Sequence, residues 1–375
     1  MLRFQNVDEA FGTLVSLFHT KDIPLVKKDS RNGPVLMCPE PVTICFENPR
    51  NRVLFNESRD ANPFFHLYES LWMLAGRNDV APLKYYASTI DQFSDDGKTF
   101  NGAYGYRWRK QDISKFWGDD RIRVTKPVDQ LDLLIKHLQQ KPESRRAVLQ
   151  MWNVEDDLLK IDSSKDVCCN LSVCFSVRYT DEREGQVAEQ GESPRYLDMT
   201  VTNRSNDMIW GLLGANVVHF SYLLEYMAEQ IGVEVGKQYH FTNNLHVYTD
   251  TNSGWTPEAW LENNLWLERS WEYPETQPMG ELTDKDLGDF ICYNDYRDPS
   301  LKHNRSKYLR ETVQPALDAF RYHKKRQYKE ALESCDNISS RDWRIACKAW
   351  ITKRYENWKK KTWITSPQTP DEKES

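Results

Sequence analysis

Residues 197–207 read LDMTVTNRSND, an apolar strand that runs directly into an arginine, a serine and an aspartate. Leu197 to Asn203 is predicted to be a strand, and Arg204 follows at its end. An arginine offers bidentate, permanently charged donors, which suit a dianionic phosphate. The stretch therefore predicts a sheet with a strand that ends at a phosphate-binding position.

Four further segments carry residues of the same kind: Arg31-Asn32-Gly33, Ser144-Arg145-Arg146, Cys168-Cys169-Asn170 and His246-Val247-Tyr248. The two cysteines lie on an apolar run, where a thiol is inert unless positive charge nearby favours the thiolate. Each segment alone is a weak signal, and an isolated cysteine pair is more often two buried structural thiols. Their order and spacing together predict one site that binds a nucleotide phosphate while a cysteine attacks the base.

Composition narrows the class of protein. A chain of 375 residues can bury one large core or one core with an appendage, and its net charge of -6 is not that of a nucleic-acid binder. No apolar run approaches the roughly 20 residues of a membrane span, and the first residues lack the pattern of a signal peptide. Eight scattered cysteines without paired C-x-x-C spacing predict reduced thiols in the cytoplasm and no metal site.

Periodicity predicts an α/β fold. Helices are expected over 62–74, over 127–140 with Leu131, Leu133, Leu134 and Leu138 facing inward, and over 217–231. Strands are expected between them, and residues 180–195 are expected to form an inserted polar loop. The expected organisation is a catalytic domain of residues 1–299 followed by a basic helical extension, residues 300–375, with a disordered tail.

A series of short motifs follows in order along the chain: Arg31-Asn32-Gly33, Glu69-Ser70-Leu71-Trp72, Tyr104-Gly105-Tyr106-Arg107-Trp108, Ser144-Arg145-Arg146, Trp152-Asn153-Val154, Arg204-Ser205-Asn206-Asp207, Asn216, and His246 with Tyr248. With these motifs the chain resembles the superfamily of thymidylate synthases and deoxycytidylate hydroxymethylases. The resemblance runs from about Arg31 to about Asp250. The resemblance implies a large mixed sheet flanked by helices, and a homodimer formed through the sheet face.

The resemblance also implies catalytic roles. Cys169 is the expected nucleophile, which adds to C6 of the pyrimidine, and Cys168 is the rival for that role. Glu69 would relay protons, since an unpaired carboxylate in an apolar helix is otherwise costly. Tyr104 is a candidate proton acceptor at C5, and Asp207 would contact the pterin of the folate.

Substrate contacts follow from the same resemblance. Eight residues are expected to bind the nucleotide. The phosphate would be bound by Arg31, Arg204 and Ser205 of the same chain and by Arg145 and Arg146 of the partner subunit. The base would be bound by Asn216, and the sugar 3′-hydroxyl would be bound by His246 and Tyr248. The Asn216 amide matches the O4 acceptor and N3–H donor of uracil. Residues 211–216 carry one extra residue against the synthase pattern, and an asparagine that caps the following helix is the alternative interpretation of Asn216.

Three departures bear on the product. The tryptophan that synthases place near residues 90–93 is absent, Asn170 stands where synthases have a histidine, and the extension replaces a short apolar tail. The implied one-carbon donor is 5,10-methylenetetrahydrofolate, and a pocket that admits water gives a hydroxymethyl group instead of a methyl group. We therefore expect hydroxymethylation of dUMP, as in a phage DNA-modification enzyme. Thymidylate synthesis and dCMP hydroxymethylation remain alternatives.

An alternative of another class comes from residues 344–363, where lysines and arginines alternate with tryptophans. Basic side chains with interleaved aromatic rings can bind single-stranded nucleic acid. A catalytically silent nucleic-acid-binding homologue would have such a segment. An amphipathic helix packed on the core, with solvated lysines, is the competing and preferred interpretation.

Overall fold

A six-stranded mixed sheet forms the centre of the molecule. The structure, a computed structural model, describes residues 1–117, 122–179, 195–249, 272–296 and 306–365. In spatial order the strands are β1 (Leu2–Phe4), β4 (Val42–Phe46), β11 (Glu234–Thr242), β9 (Arg195–Asn203), β8 (Asn170–Tyr179) and β7 (Val148–Gln150). β11 runs parallel to β9 and antiparallel to β4, so the sheet is mixed.

Two smaller sheets lie beside it. The first has the order β10 (Asn206–Asp207), β12 (Leu245–Tyr248), β3 (Gly33–Met37) and β2 (Val26–Ser30). The second is a hairpin of β5 (Gln111–Trp117) and β6 (Ile122–Val128). The four-stranded sheet brings the residue 31 loop, the end of the Arg204 turn and the His246 strand into one neighbourhood.

Ten α-helices complete the fold in the described parts of the chain. They are α1 (Val7–Thr20), α2 (Pro63–Leu74), α3 (Val80–Tyr86), α4 (Tyr104–Arg109), α5 (Gln130–Gln140), α6 (Val217–Ile231), α7 (Asp284–Tyr296), α8 (Gln314–Lys324), α9 (Tyr328–Asp336) and α10 (Arg341–Thr365). None of them is long and apolar enough to cross a membrane. The predicted α/β class, with a large mixed sheet flanked by helices, is confirmed.

Two predicted helices match closely because their ends carry strong local signals. Asn62 accepts a hydrogen bond from the Phe65 N–H and so caps α2, whose first residue is Pro63. α6 ends at Gly232, which adopts the left-handed conformation (φ 81°) that favours glycine after a helix.

The prediction for α5 was wrong at its start and at one core position. The helix begins at Gln130, because Pro127 belongs to β6 and Asp129 caps the helix by accepting from the Asp132 N–H. Leu133 is 57% exposed, since the buried face follows helical periodicity and takes Leu131, Leu134 and Leu138.

The C-terminal helices pack on α2. The Phe64 ring lies 5.3 Å from the Phe320 ring of α8 and 5.4 Å from the Trp350 ring of α10. Arg354 of α10 forms a bidentate ion pair with Asp60, just before α2. The C-terminal helices therefore share one apolar core with the rest of the described chain.

Two predictions fall largely outside the described residues. The inserted loop was predicted over 180–195; residues 180–194 are not described, and Arg195 already begins β9. The proposed domain boundary after residue 299 also lies in an undescribed stretch. Both stay predictions.

Candidate functional site

Cys169 lines a cleft of about 230 Å³ at the start of β8. The same cleft is lined by Glu69, Tyr104 and Asn216. Cys168 precedes Cys169 in the chain and is fully buried, and its thiol donates to the Asn170 carbonyl at 3.0 Å. Of the two cysteines, Cys169 lines the cleft and Cys168 does not.

A buried ion pair fixes the backbone next to Cys169. Arg107 of α4 pairs with Asp157, and Asp157 Oδ1 accepts the Cys168 N–H at 2.9 Å. Arg107 also donates to the Met151 carbonyl at 2.7 Å. A buried charge pair of this kind holds its neighbours in one arrangement, because breaking it leaves an uncompensated charge.

Two predicted phosphate ligands converge on the segment that carries the cysteine. Arg204 donates from Nε to the Cys168 carbonyl and from Nη2 to the Val167 carbonyl, both at 2.9 Å. Arg31 donates to the Ser164 carbonyl at 3.2 Å and to the Lys165 carbonyl at 2.8 Å. These bonds place both guanidinium groups within the predicted site.

The electrostatics correct one expectation. Burial raises the pKa of the Cys169 thiol above its ordinary value, while the positive charges of Arg204 and Arg31 act to lower it. Positive charge from the arginines was expected to favour the thiolate. Their effect has the expected sign, but burial in a largely apolar cleft outweighs it in the unliganded chain.

Asn216 faces the cleft and does not cap a helix. Its Nδ2 donates to Asn206 Oδ1 at 3.0 Å, and the side chain makes no capping hydrogen bond to α6. Residues Met208–Asn216 form a π-helical segment. Such a turn accommodates an added residue, which explains how one extra residue before Asn216 still leaves it at the cleft.

Glu69 of α2 pairs with His219, a residue to which no sequence motif assigned a role. Its Oε2 lies 2.9 Å from Nε2 of His219, and both residues line the cleft. His219 follows Asn216 by three residues at the start of α6, so helical spacing puts the two on one face. That spacing was the signal in the sequence that could have identified His219.

Tyr104 and Asp207 are both half-buried, with different surroundings. Burial raises the pKa of Tyr104 well above its ordinary value, with a further contribution from Cys169, so its phenol stays neutral. Burial also raises the pKa of Asp207, whose Oδ1 accepts from the Trp210 N–H. Asp207 Oδ2 is buried with no hydrogen-bond partner among the described residues.

The predicted sugar ligands lie beside the residue 31 loop. The rings of His246 and Tyr248 are 5.3 Å apart on one side of β12, as their alternation predicts. Asn32 Nδ2 approaches the Tyr248 hydroxyl at 3.5 Å, and His246 pairs in register with Asp207. Ser205 is half-buried in the turn between β9 and β10, next to Arg204.

The last two predicted ligands are not brought to this cleft by the single chain. Arg145 and Arg146 are exposed between α5 and β7, at the edge of the main sheet. Neither side chain forms a hydrogen bond or an ion pair with a described residue. Their predicted role in a partner subunit's site stays a prediction.

The wall of the cleft is apolar and fits a flat heterocycle. It includes Trp72, Leu83, Ile90, Phe93 and Phe100, and the Phe93 ring is 46% exposed. The orphaned Asp207 Oδ2 supplies a buried acceptor for a pterin N–H. These features suit a folate, and Ile90 and Phe93 occupy the part of the wall where a tryptophan is missing.

Comparison with known proteins places the chain in a family. A family model described as thymidylate synthase matches residues 59–267. A deoxyuridylate hydroxymethyltransferase of Pseudomonas phage M6 is 37% identical over 363 residues, which cover 94% of each chain. The chain belongs to the thymidylate synthase family. The resemblance drawn from the motifs is therefore confirmed.

Other relatives in the thymidylate synthase family match shorter stretches. A deoxyuridylate hydroxymethyltransferase of Bacillus phage SP01 is 42% identical over 213 residues, 56% of this chain and 50% of that protein. A thymidylate synthase of Streptococcus mutans is 29% identical over 158 residues, 40% of this chain and 49% of that protein. The alignment with the first relative covers 94% of this chain, so its similarity includes most of the C-terminal extension.

Proposed function

We propose that this protein transfers a hydroxymethyl group to C5 of dUMP. The observation that carries the proposal is the cleft itself, where Cys169 and Asn216 lie together against a wall that has no tryptophan at residues 90–93. The similarity to deoxyuridylate hydroxymethyltransferases along almost the whole chain supports the same product.

In the proposed mechanism Cys169 is the nucleophile. Its sulfur adds to C6 of the base, which makes C5 an enolate carbon able to attack an electrophile. 5,10-Methylenetetrahydrofolate, when bound, supplies the one-carbon unit, with the apolar wall and Asp207 as its contacts. The Tyr104 oxygen accepts the C5 proton, and Glu69 with His219 relays protons at the pyrimidine.

Recognition of the nucleotide is divided among several elements. Arg31, Arg204 and Ser205 bind the phosphate from the same chain, and His246 with Tyr248 binds the 3′-hydroxyl. Because burial raises the pKa of the Cys169 thiol, another group in the site must take the thiol proton before the sulfur can attack. The Asn216 amide reads uracil, because it offers a donor to O4 and an acceptor to N3–H.

The proposal includes a homodimer. One face of the main sheet is covered by α1, α2 and α6, while side chains such as Thr200, Thr202 and Cys174 alternate onto the other face and stay partly or fully exposed. A second copy on that face would bring its own Arg145 and Arg146 toward this chain's phosphate site. All eight cysteines are free, which supports a reducing, cytoplasmic location.

The experiment is incubation of the purified protein with methylenetetrahydrofolate and, separately, dUMP, dCMP, UMP and CMP, with products identified by mass spectrometry. We expect a hydroxymethyl product from dUMP alone, with tetrahydrofolate retained. A methyl product with dihydrofolate released would show a thymidylate synthase. Turnover of dCMP would contradict the assignment of Asn216.

Packing of the C-terminal helices bears on the nucleic-acid alternative. The Trp350 ring contacts Phe64, Phe320 and His323, and the Trp358 ring contacts Tyr328. These rings are used in packing between helices, which favours the amphipathic-helix interpretation. No turnover of any nucleotide together with salt-sensitive RNA binding would reverse that preference.

A further inference from the structure

Asp166 is a carboxyl group in the cleft to which none of the motifs assigns a role. It lines the same cleft as Cys169, Tyr104 and Phe100. Within the described parts of the chain it forms no ion pair with a lysine or an arginine. Burying part of a carboxylate without a cationic partner costs folding free energy. Such a group at a cleft is therefore a candidate for a functional role.

The carboxyl group is held in a fixed position. Asp166 Oδ2 accepts the Gly102 N–H at 2.7 Å, and the Asp166 carbonyl accepts from Asn101 Nδ2 at 3.0 Å. A Cβ atom at Gly102 would lie 2.8 Å from Asp166 Oδ1. Residue 102 therefore has to be a glycine for the carboxyl group to lie here, three residues before the nucleophile.

The surroundings make this carboxylate a stronger base than one in water. Burial raises the pKa of Asp166 above its ordinary value, and the Gly102 N–H opposes that shift only in part. Glu69, the other carboxyl group of the cleft, already lies against His219. Asp166 thus remains available for a task that Glu69 does not cover.

The hydroxymethyl product requires a water molecule to be activated. Loss of the folate leaves the base with an exocyclic methylene group at C5 while the Cys169 sulfur is still bonded to C6. Water is a poor nucleophile for this carbon unless a base takes its proton as the new bond forms. Among the other titratable groups that line the cleft, Glu69 is paired with His219, and burial keeps the Tyr104 phenol neutral, so Asp166 is the carboxylate left for this step.

We propose that Asp166 is the general base that activates this water; the inference rests on the proposed hydroxymethylation. Asp166 accepts one proton of water while the oxygen bonds to the methylene carbon, and the electron pair moves through C5 to the C4 oxygen. The resulting enolate collapses to restore the C5–C6 double bond and expels the Cys169 thiolate. The thiolate or solvent then takes the proton from Asp166, which balances the step.

The test compares Asp166→Asn with the wild type on dUMP labelled with tritium at C5. Asn keeps the acceptor for the Gly102 N–H but cannot take a proton. We expect hydroxymethyl formation to fall by roughly 10²-fold or more, because a general base contributes that much. Release of tritium, which precedes the water step, should continue to one equivalent per site.

An added thiol supplies a second readout that a structural role would not change. The thiolate of 2-mercaptoethanol is already an anion and needs no base to add to the methylene carbon. Asp166→Asn should therefore form the thioether product readily while it forms little hydroxymethyl product. A shift of the product ratio toward the thioether identifies the missing step as proton removal from water.

Asp95→Asn is the matched control. Asp95 accepts from the Ser164 hydroxyl at 2.6 Å and from the Lys165 N–H at 2.8 Å, so it holds the same segment without lining the cleft. It should keep the wild-type product ratio. Asp166→Glu, which retains a carboxyl group, should recover part of the hydroxymethyl activity and serves if Asp166→Asn does not fold.

The outcomes separate this inference from the proposed function. If the wild type hydroxymethylates dUMP and Asp166→Asn does so within a few-fold, or loses tritium release in equal proportion, the role of Asp166 is overturned and the function stands. If the wild type yields only a methyl product, both are overturned.

Discussion

Two pairs of arginines, both predicted to bind the same phosphate, differ in how the fold holds their side chains. Arg31 and Arg204 donate to main-chain carbonyls just before Cys169. Arg145 and Arg146 lie at the sheet edge and bond to no described side chain. An arginine that is already held by hydrogen bonds loses little side-chain entropy when its ligand arrives, whereas one without such bonds must be ordered by the ligand. The first pair is preorganised, and the second is not.

The largest expected effect tests whether Cys169, the cysteine next to the preorganised arginines, is the nucleophile. Cys169→Ala should lower kcat/KM at least about 10⁴-fold, since removal of a nucleophile has effects of this size or larger. Cys168→Ala should lower it by roughly 10-fold or less, because this thiol is buried away from the cleft and donates only to the Asn170 carbonyl. Product formation from dUMP measures both, with circular dichroism as the folding control. The opposite order of losses would assign the nucleophile to Cys168.

Arg204→Ala is expected to have the next largest effect, a loss of roughly 10²- to 10³-fold in kcat/KM. It removes charge-assisted hydrogen bonds of about 1.5–3 kcal/mol each, both to the phosphate and to the backbone of the nucleophile. Steady-state kinetics with dUMP measure the loss.

Arg344→Ala is the matched control for that substitution. Arg344 also donates to a main-chain carbonyl, that of Ile338 at 3.1 Å, but lies in α10. Its activity should stay near that of the wild type. An equal loss in both variants would mean that arginine–carbonyl bonds matter for folding alone.

Mixed dimers test the second pair. Arg145→Ala should lose most of its activity and Cys169→Ala nearly all of it, but a hybrid of the two has one site with an intact cysteine and a partner's intact Arg145. Random reassociation should then restore up to about a quarter of wild-type activity, because half of the dimers are hybrids with one working site each. No recovery on mixing, with hybrid formation shown by native mass spectrometry, would place Arg145 in its own chain's site or in none.

Arg31→Lys is expected to have the smallest effect. Lysine keeps the charge but cannot donate to the Ser164 and Lys165 carbonyls and to a phosphate at once. We expect the KM for dUMP to rise roughly 3- to 10-fold with little change in kcat. A change in kcat alone would point to a role in the chemical step instead of in binding.

Sequence reasoning worked where the signal was local or where ordered motifs carried the resemblance. The ends of α2 and α6 followed from Asn62 and Gly232, and the family followed from the order of its motifs. Leu133 was misplaced because four leucines in eight residues fit more than one helical face until a partner surface selects one.

The cleft itself could be predicted only in part. Cys169 and Asn216 were identified, but Asp166 and the Arg107–Asp157 pair have no local pattern that marks them. Their partners, Gly102 and the Cys168 N–H, come from distant parts of the chain. The raised pKa of the Cys169 thiol likewise depends on burial, which spacing along the sequence does not reveal.

The contact between α2 and α10 has a consequence for how the protein is made. α2 carries Glu69, yet Phe64 on the same helix is covered by Trp350, a residue translated much later. On the ribosome α2 therefore emerges with part of its apolar face uncovered. That face stays exposed until nearly the whole chain has been synthesised. Such an exposed face is a target for aggregation or for a chaperone. Yield of active protein should depend on the rate at which the segment between them is synthesised.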